Sequence, residues 1–291
     1  MTDTVRRVDH VFRGSDTLEG AGVRLHRAFG NREVPALDPF LLLDNFRSSD
    51  PADYVAGFPW HPHRGIETVT YMLDGRVEHG DSLGNQGAID TGDVQWMSAG
   101  SGILHQEMPQ RKEGLLHGFQ LWVNLPAREK MSVPAYRGLT AGEIPTVDSA
   151  AGNRVKVVAG EFEKVRGPVE GIPVDPTYLD VSVPAGGEFV HPTPRGHTAF
   201  AYTVDGSGRF DPDRADLVPR GQAVLYGDGE SVRIRAGDEG VRLLFVTGRP
   251  LHEPVSWYGP IVMNTPDEIR TAAVELQRGD FIKHRKVVVE E

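Results

Sequence analysis

Two stretches of this chain are copies of one pattern, and that limits the folds open to it. Arg64-Gly65-Ile66-Glu67-Thr68-Val69-Thr70-Tyr71-Met72-Leu73-Asp74-Gly75 aligns without a gap on Arg195-Gly196-His197-Thr198-Ala199-Phe200-Ala201-Tyr202-Thr203-Val204-Asp205-Gly206. Arg, Gly, Tyr, Asp and Gly recur in register. Each copy is an alternating apolar run closed by Asp-Gly, the signature of a strand entering a hairpin. Similar short runs precede and follow both copies. In the first half they are Val23 to Phe29, Phe40 to Leu43, Val77 to Asp81, Val94 to Met97, Ile103 to Met108 and Gly118 to Leu125; Asp44 to Phe58 reads as loop. In the second half they are Arg154 to Ala159, Tyr178 to Val183, Ala223 to Tyr226, Val232 to Arg235 and Val241 to Val246. With 34 glycines and 21 prolines to supply turns, the chain predicts an all-β protein of two tandem antiparallel barrels or sandwiches. Gly138 to Ala151 shows no period and reads as the linker, which gives domains 1–137 and 138–291.

One helix is predicted, near the C-terminus and within the second domain. Thr265 is its N-cap, Pro266 its first residue, Glu268 the partner in a capping box, and Gly279 its stop. Ile269, Ala272, Ala273 and Leu276 form the apolar stripe.

The chemistry is concentrated between Gly57 and Pro109. His61-Pro62-His63 and His105-Gln106-Glu107 are pairs with one residue between their members. Residues two apart on a strand share a face, so each pair aims two ligand atoms at one point. If the two strands face each other, three imidazoles and a carboxylate meet. That set suits one mononuclear divalent metal, with two positions of an octahedron left open. Glu67, at even spacing from the first pair, competes with Glu107 as the carboxylate or serves as partner to a ligating ring nitrogen. His117 heads the alternating set His117, Phe119, Leu121, Val123 and is a candidate lining residue of the same cavity. Trp96 and Trp122 are core residues or walls of an aromatic pocket. In the second copy the same offset sets Pro192 opposite His61 and Pro194 opposite His63, so that half has lost its ligands.

Composition excludes other classes. A net charge of -10 argues against nucleic acid and anionic membrane as direct partners. The absence of cysteine removes disulfides, thiolate metal sites and thiol nucleophiles. No apolar run reaches the roughly 20 residues of a membrane helix. The first residues, Met1 to Gly14, lack the apolar core of a signal peptide, so a cytoplasmic protein is expected.

The stretches Phe58 to Val69 and Gln95 to Pro109, with Leu121-Trp122-Val123-Asn124-Leu125 and Pro260-Ile261-Val262-Met263-Asn264-Thr265, resemble the pirin family of the cupin superfamily. The resemblance runs from about Gly30 to the C-terminal helix. It implies two tandem cupin barrels (a bicupin of double-stranded β-helix, jelly-roll type). It implies Fe(II) in the N-terminal barrel alone, on His61, His63, His105 and Glu107, with Mn, Co, Ni or Cu as alternatives. Two activities follow from it. One is quercetin 2,3-dioxygenase chemistry, opening a flavonol ring with O2, in which the substrate 3-hydroxyl meets the metal and Glu107 is the general base. The other is a non-enzymatic regulator acting on a protein partner, a transcription factor or a metabolic enzyme.

Overall fold

The computed structural model describes residues 4–32 and 34–284. The chain forms two compact units, and both are built from antiparallel sheet, as the strand rhythm predicts. One unit comprises residues 16–27, 40–141 and 252–291; the other comprises residues 1–15, 28–39 and 142–251. The break at 141/142 falls inside the expected linker. The terminal segments are exchanged relative to the boundary expected from sequence: the C-terminal helix lies with the first barrel, and the N-terminal strand with the second. The physical causes are long-range hydrogen bonds. Val8–Phe12 pairs antiparallel with Ala223–Tyr226. At the other end, Val262 N–H donates to the Arg64 carbonyl, and buried Arg64 donates to Glu275 on the helix.

The first unit contains a seven-stranded and a four-stranded sheet. The seven-stranded sheet runs, in spatial order, Ala135–Leu139, Val94–Ser98, Ile66–Asp74, Leu116–Asn124, Phe40–Ser48, Val23–Phe29 and Ser15–Glu19. The four-stranded sheet runs Phe58–His63, Ile103–Pro109, Arg76–Asp81 and Gln86–Asp90. Their facing sides share a core: Val23, Leu25, Phe46 and Met72 from the larger sheet pack with Val77 and Ile89 from the smaller. Strand Phe40–Ser48 is longer than the apolar run Phe40 to Leu43, because Asp44 and Asn45 continue its pairing with Leu116–Asn124. The segment Phe58–His63 forms a strand despite Pro59 and Pro62. Its one strand partner is Ile103–Pro109, so it lies at the sheet edge, where proline is tolerated.

Gly65 explains the close turn after His63. Its φ is +76°, and a Cβ there would lie 2.0 Å from the Val262 carbonyl oxygen. Gly196 in the second copy has φ +74°, so the repeat preserves a left-handed turn as well as a strand.

The helix α1 spans Pro266–Arg278. Thr265 accepts from the Glu268 N–H, the Glu268 carboxylate accepts from the Thr265 N–H, and Gly279 closes the helix with φ +76°. Ala272, Ile269 and Phe281 pack on Ile261 and Met263.

The second unit is organised on a nine-stranded sheet whose interior is filled by side chains, among them Phe162, Phe189, Val232, Phe245 and Leu243. His191 is buried there, with the rings of Phe162 and Phe245 both 5.8 Å away. This corrects the alignment of Pro192 and Pro194 with the first histidine pair. On strand Glu188–Pro192 it is Phe189 and His191 that point inward, while Pro192 is exposed. The repeat holds its register through the turn and the following strand but not through the strand before, and a slip of one residue flips every side chain to the other face.

Candidate metal centre

Strand Phe58–His63 pairs antiparallel with Ile103–Pro109, and His105 stands directly opposite His61. His61, His63 and His105 thereby converge, with one ligand nitrogen of each within 4.8 Å of the others. The ring centroids are 4.4 to 4.9 Å apart. His63 and His105 are buried and His61 is half-buried.

The hydrogen bonds fix the proton positions. Nδ1 of His61 lies 2.9 Å from the Pro59 carbonyl oxygen, and Nδ1 of His63 lies 3.1 Å from that of Pro260. A carbonyl only accepts, so both Nδ1 atoms carry hydrogen, and in the neutral rings both Nε2 atoms present lone pairs. Those Nε2 atoms are 3.1 Å apart. Two lone pairs at that distance repel unless a proton or a cation lies between them. Nε2 of His105 is buried with no hydrogen-bond partner. Ring nitrogens oriented from behind by backbone carbonyls, with their free lone pairs converging, fit a divalent metal. Burial, and next the neighbouring His61, push His63 down to about 3. Burial, and then His63, His61 and His79, hold His105 well below its usual value. All three rings of such a site have to be neutral to bind a cation.

Glu107 is buried on the same strand as His105, but it lies outside the group of three converging nitrogens. Its Oε1 accepts from Thr70 at 2.9 Å and its Oε2 from Gln120 at 2.7 Å. Glu67 is elsewhere. Val69 is paired with Trp96, and Trp96 Nε1 donates to Glu67 at 3.0 Å, on the face of Ile66–Asp74 opposite Thr70. Burial pushes the Glu67 carboxyl up to about 7, with the Trp96 hydrogen bond opposing. Counting by twos from His63 to Glu67 fails because the chain turns at Gly65 between them. The set headed by His117 is on the other face of its strand: Phe119 and Leu121 lie opposite Tyr71 and Val69, and it is Gln120 and Trp122 that line the pocket.

The pocket beside His61 and His63 has a volume of about 590 Å3. Trp122 and Trp257 wall it, with centroids 6.0 Å apart, and the Trp122 ring meets His63 edge-on at 5.0 Å. Arg27, Asp44 and Glu19 line another part of it. Burial raises the Asp44 carboxyl, and its two hydrogen bonds with Arg27 oppose the shift. Apart from His61 and His63, the sequence marks only Trp122 among these residues. A polar residue within an apolar strand, such as Asp44 in FLLLD or Gln120 in GFQLW, is the signal that was there to find.

Relatives agree with this architecture. The family profile "Pirin" matches residues 22–123, and "Pirin C-terminal cupin domain" matches residues 178–282. The chain is 45% identical over 278 residues to a pirin-like protein of Caulobacter vibrioides, covering 95% of this chain and 99% of that one. This chain belongs to the pirin family. It is a bicupin. It is also 43% identical over 264 residues to human pirin, covering 89% of this chain and 88% of that protein. A crystal structure titled quercetin 2,3-dioxygenase from Acinetobacter baumannii superposes with a TM-score of 0.87 at 33% identity, covering 95% of this chain and 98% of that one. No helix among the described residues is long and apolar enough to cross a membrane.

Proposed function

We propose that this pirin-family chain is a metal-dependent dioxygenase that opens a flavonol ring of the quercetin type with O2. The observation that carries the reading is the convergence of three imidazole nitrogens beside an aromatic-walled pocket. His61, His63 and His105 would hold one divalent ion in the first barrel, and Glu107 is the fourth candidate ligand. Fe(II) is the proposed ion, with Mn, Co, Ni or Cu as alternatives that the same nitrogen and oxygen donors accept. A bound ion would act as a Lewis acid toward the substrate's 3-hydroxyl oxygen and bring O2 to the activated carbon.

The protein's own groups account for the rest. Trp122 and Trp257 offer flat apolar walls against which a planar ligand loses its hydration. The Pro59 and Pro260 carbonyls keep His61 and His63 in the tautomer that points a lone pair inward. Glu107, oriented by Thr70 and Gln120, is the proposed base for the hydroxyl proton. A cytoplasmic location suits a chain without cysteine whose proposed metal is the reduced form of iron.

The second reading is a metal-tuned regulator that binds a protein partner. One observation favours it: Trp60 and Tyr258, neighbours in sequence of pocket-lining residues, are large side chains left 53% and 72% exposed. Incubating metal-loaded protein with quercetin in air, and following flavonol absorbance and CO release, separates the two. Ring opening is the expected result. Glu107→Ala is expected to lose it even in excess metal; normal turnover by that variant removes Glu107 as base. No turnover with any of the five metals favours the regulator.

A further inference from the structure

The pocket's hydrogen-bond inventory is one-sided. Among the described residues Arg27 is the only lysine or arginine that lines it, and each of its three guanidinium nitrogens meets a carboxylate, which uses three of its five N–H donors. Nε and one terminal nitrogen each donate to Asp44 at 2.8 Å, and the other terminal nitrogen lies 2.9 Å from Glu19. Both amide hydrogens of Gln120 are directed away, to Glu107 at 2.7 Å and Thr70 at 3.3 Å. Trp122 Nε1 donates to Gln120, and Trp257 Nε1 to the Gly259 carbonyl. Most side-chain donors on the wall are therefore engaged, two Arg27 N–H groups excepted. What is in excess is acceptor capacity on the carboxylates of Asp44 and Glu19, since each carboxylate oxygen has more than one lone-pair site. Two carboxylates set against one guanidinium also leave this end of the pocket with a net negative charge.

A ligand that complements such a wall brings its own donors and no negative charge. We propose that the Arg27–Asp44–Glu19 cluster is the specificity-determining end of the pocket, and that it selects a neutral, planar, polyhydroxylated aromatic over an unhydroxylated or carboxylated one. Ring hydroxyls donate to Asp44 and Glu19, while the aromatic body lies on the indoles. Arg27 holds the two carboxylates in place, and their combined charge outweighs its own toward an anion. The inference rests on the flavonol reading of the pocket and adds to it which flavonols are taken.

Binding can be separated from turnover by loading the protein with redox-inert Zn(II) and excluding O2. Three probes keep the 3-hydroxyl and differ elsewhere: quercetin, 3-hydroxyflavone, and 3-hydroxyflavone with a ring carboxylate. Quenching of indole emission gives each Kd, and calorimetry checks it. Quercetin is expected to bind about tenfold more tightly than 3-hydroxyflavone, the order of a hydrogen bond to a charged acceptor. The carboxylated probe is expected to bind more weakly than either. In Asp44→Asn the quercetin advantage is expected to shrink to about threefold or less. Glu19 is partly exposed, so Glu19→Gln tests the same point in a variant whose fold is not at stake.

Equal affinity for quercetin and 3-hydroxyflavone, or tighter binding of the carboxylated probe, overturns the inference and leaves the flavonol pocket intact. Selectivity as expected without ring opening in air leaves the inference standing and removes the dioxygenase. No saturable binding of any of the three overturns both.

Discussion

His63 is a neutral imidazole before any metal is considered. Its burial, and then the proximity of His61, take it from 6.5 to about 3. Burial takes His191 in the second unit to about 4. Between pH 6.5 and those values the unfolded chain binds protons that the folded chain refuses. Stability from these groups is therefore complete above pH 6.5 and declines as the pH falls through the window. Glu67 acts in the opposite sense: raised to about 7, it holds a proton in the fold that the unfolded chain releases above 4.5, so its contribution improves as the pH falls. Thermal melts of metal-free Glu67→Gln protein should show the midpoint dropping from about pH 7.5 to about pH 5. The drop should be shallower when His63→Phe and His191→Phe are added. A midpoint that does not move with pH would contradict this account. At this scale His61, His63 and His105 were legible in the sequence because a strand's two-residue period is local. Glu67 was misplaced because the same period was carried across a left-handed turn.

Helix α1 and the strand Ile261–Met263 before it form the element that steadies the metal strand from behind. Pro260 supplies the carbonyl for His63. Arg64, next to His63, is buried; it donates to the Ser101 and Phe281 carbonyls and to Glu275, and its guanidinium lies 4.2 Å from the centre of the Phe281 ring. Lys130 is pulled down to about 8 by burial, with Glu253 and Glu268 opposing, and its ammonium joins the Gly65 and Val262 carbonyls to Asn124. Removing one partner from a buried charged pair costs on the order of 3 kcal/mol, because the other charge stays buried. Glu275→Ala is thus expected to destabilise the fold by about that amount in urea titration. It is also expected to weaken Zn(II) binding several-fold, with Glu275→Gln recovering part of both. Unchanged metal affinity in the alanine variant would mean that the helix holds the fold but not the site. The ends of the helix were readable from sequence, since N-cap, capping box and glycine stop are interactions within a few residues; of its apolar stripe, Ile269 and Ala272 pack on the core while Leu276 is exposed. The helix's place against the first barrel was not readable, since Arg64 and Glu275 are 211 positions apart.

Across the whole molecule the two units keep one backbone plan and differ in what fills them. The first leaves room beside His61 and His63; the interior of the second is packed with aromatic and aliphatic side chains around His191. We expect one metal ion per chain by elemental analysis. His61→Ala with His63→Ala should abolish binding, and His191→Phe should leave the stoichiometry at one. A second ion per chain, or loss of metal from His191→Phe, would overturn the assignment of the site to the first barrel.

The amino-acid order alone determined what depends on near neighbours: the strand rhythm, the doubled Arg-Gly to Asp-Gly pattern, the caps of the helix and the same-face pairing within His-Pro-His. Packing decided what depends on residues far apart in the chain. It set His105 opposite His61, exchanged the terminal segments between units, and brought Arg27 to Asp44 and Trp257 to Trp122. It also aimed the Pro260 carbonyl at His63. Every residue carries a carbonyl, so nothing in a sequence marks the one that will orient a ligand. Only the closure of long-range hydrogen bonds and the exclusion of water select it.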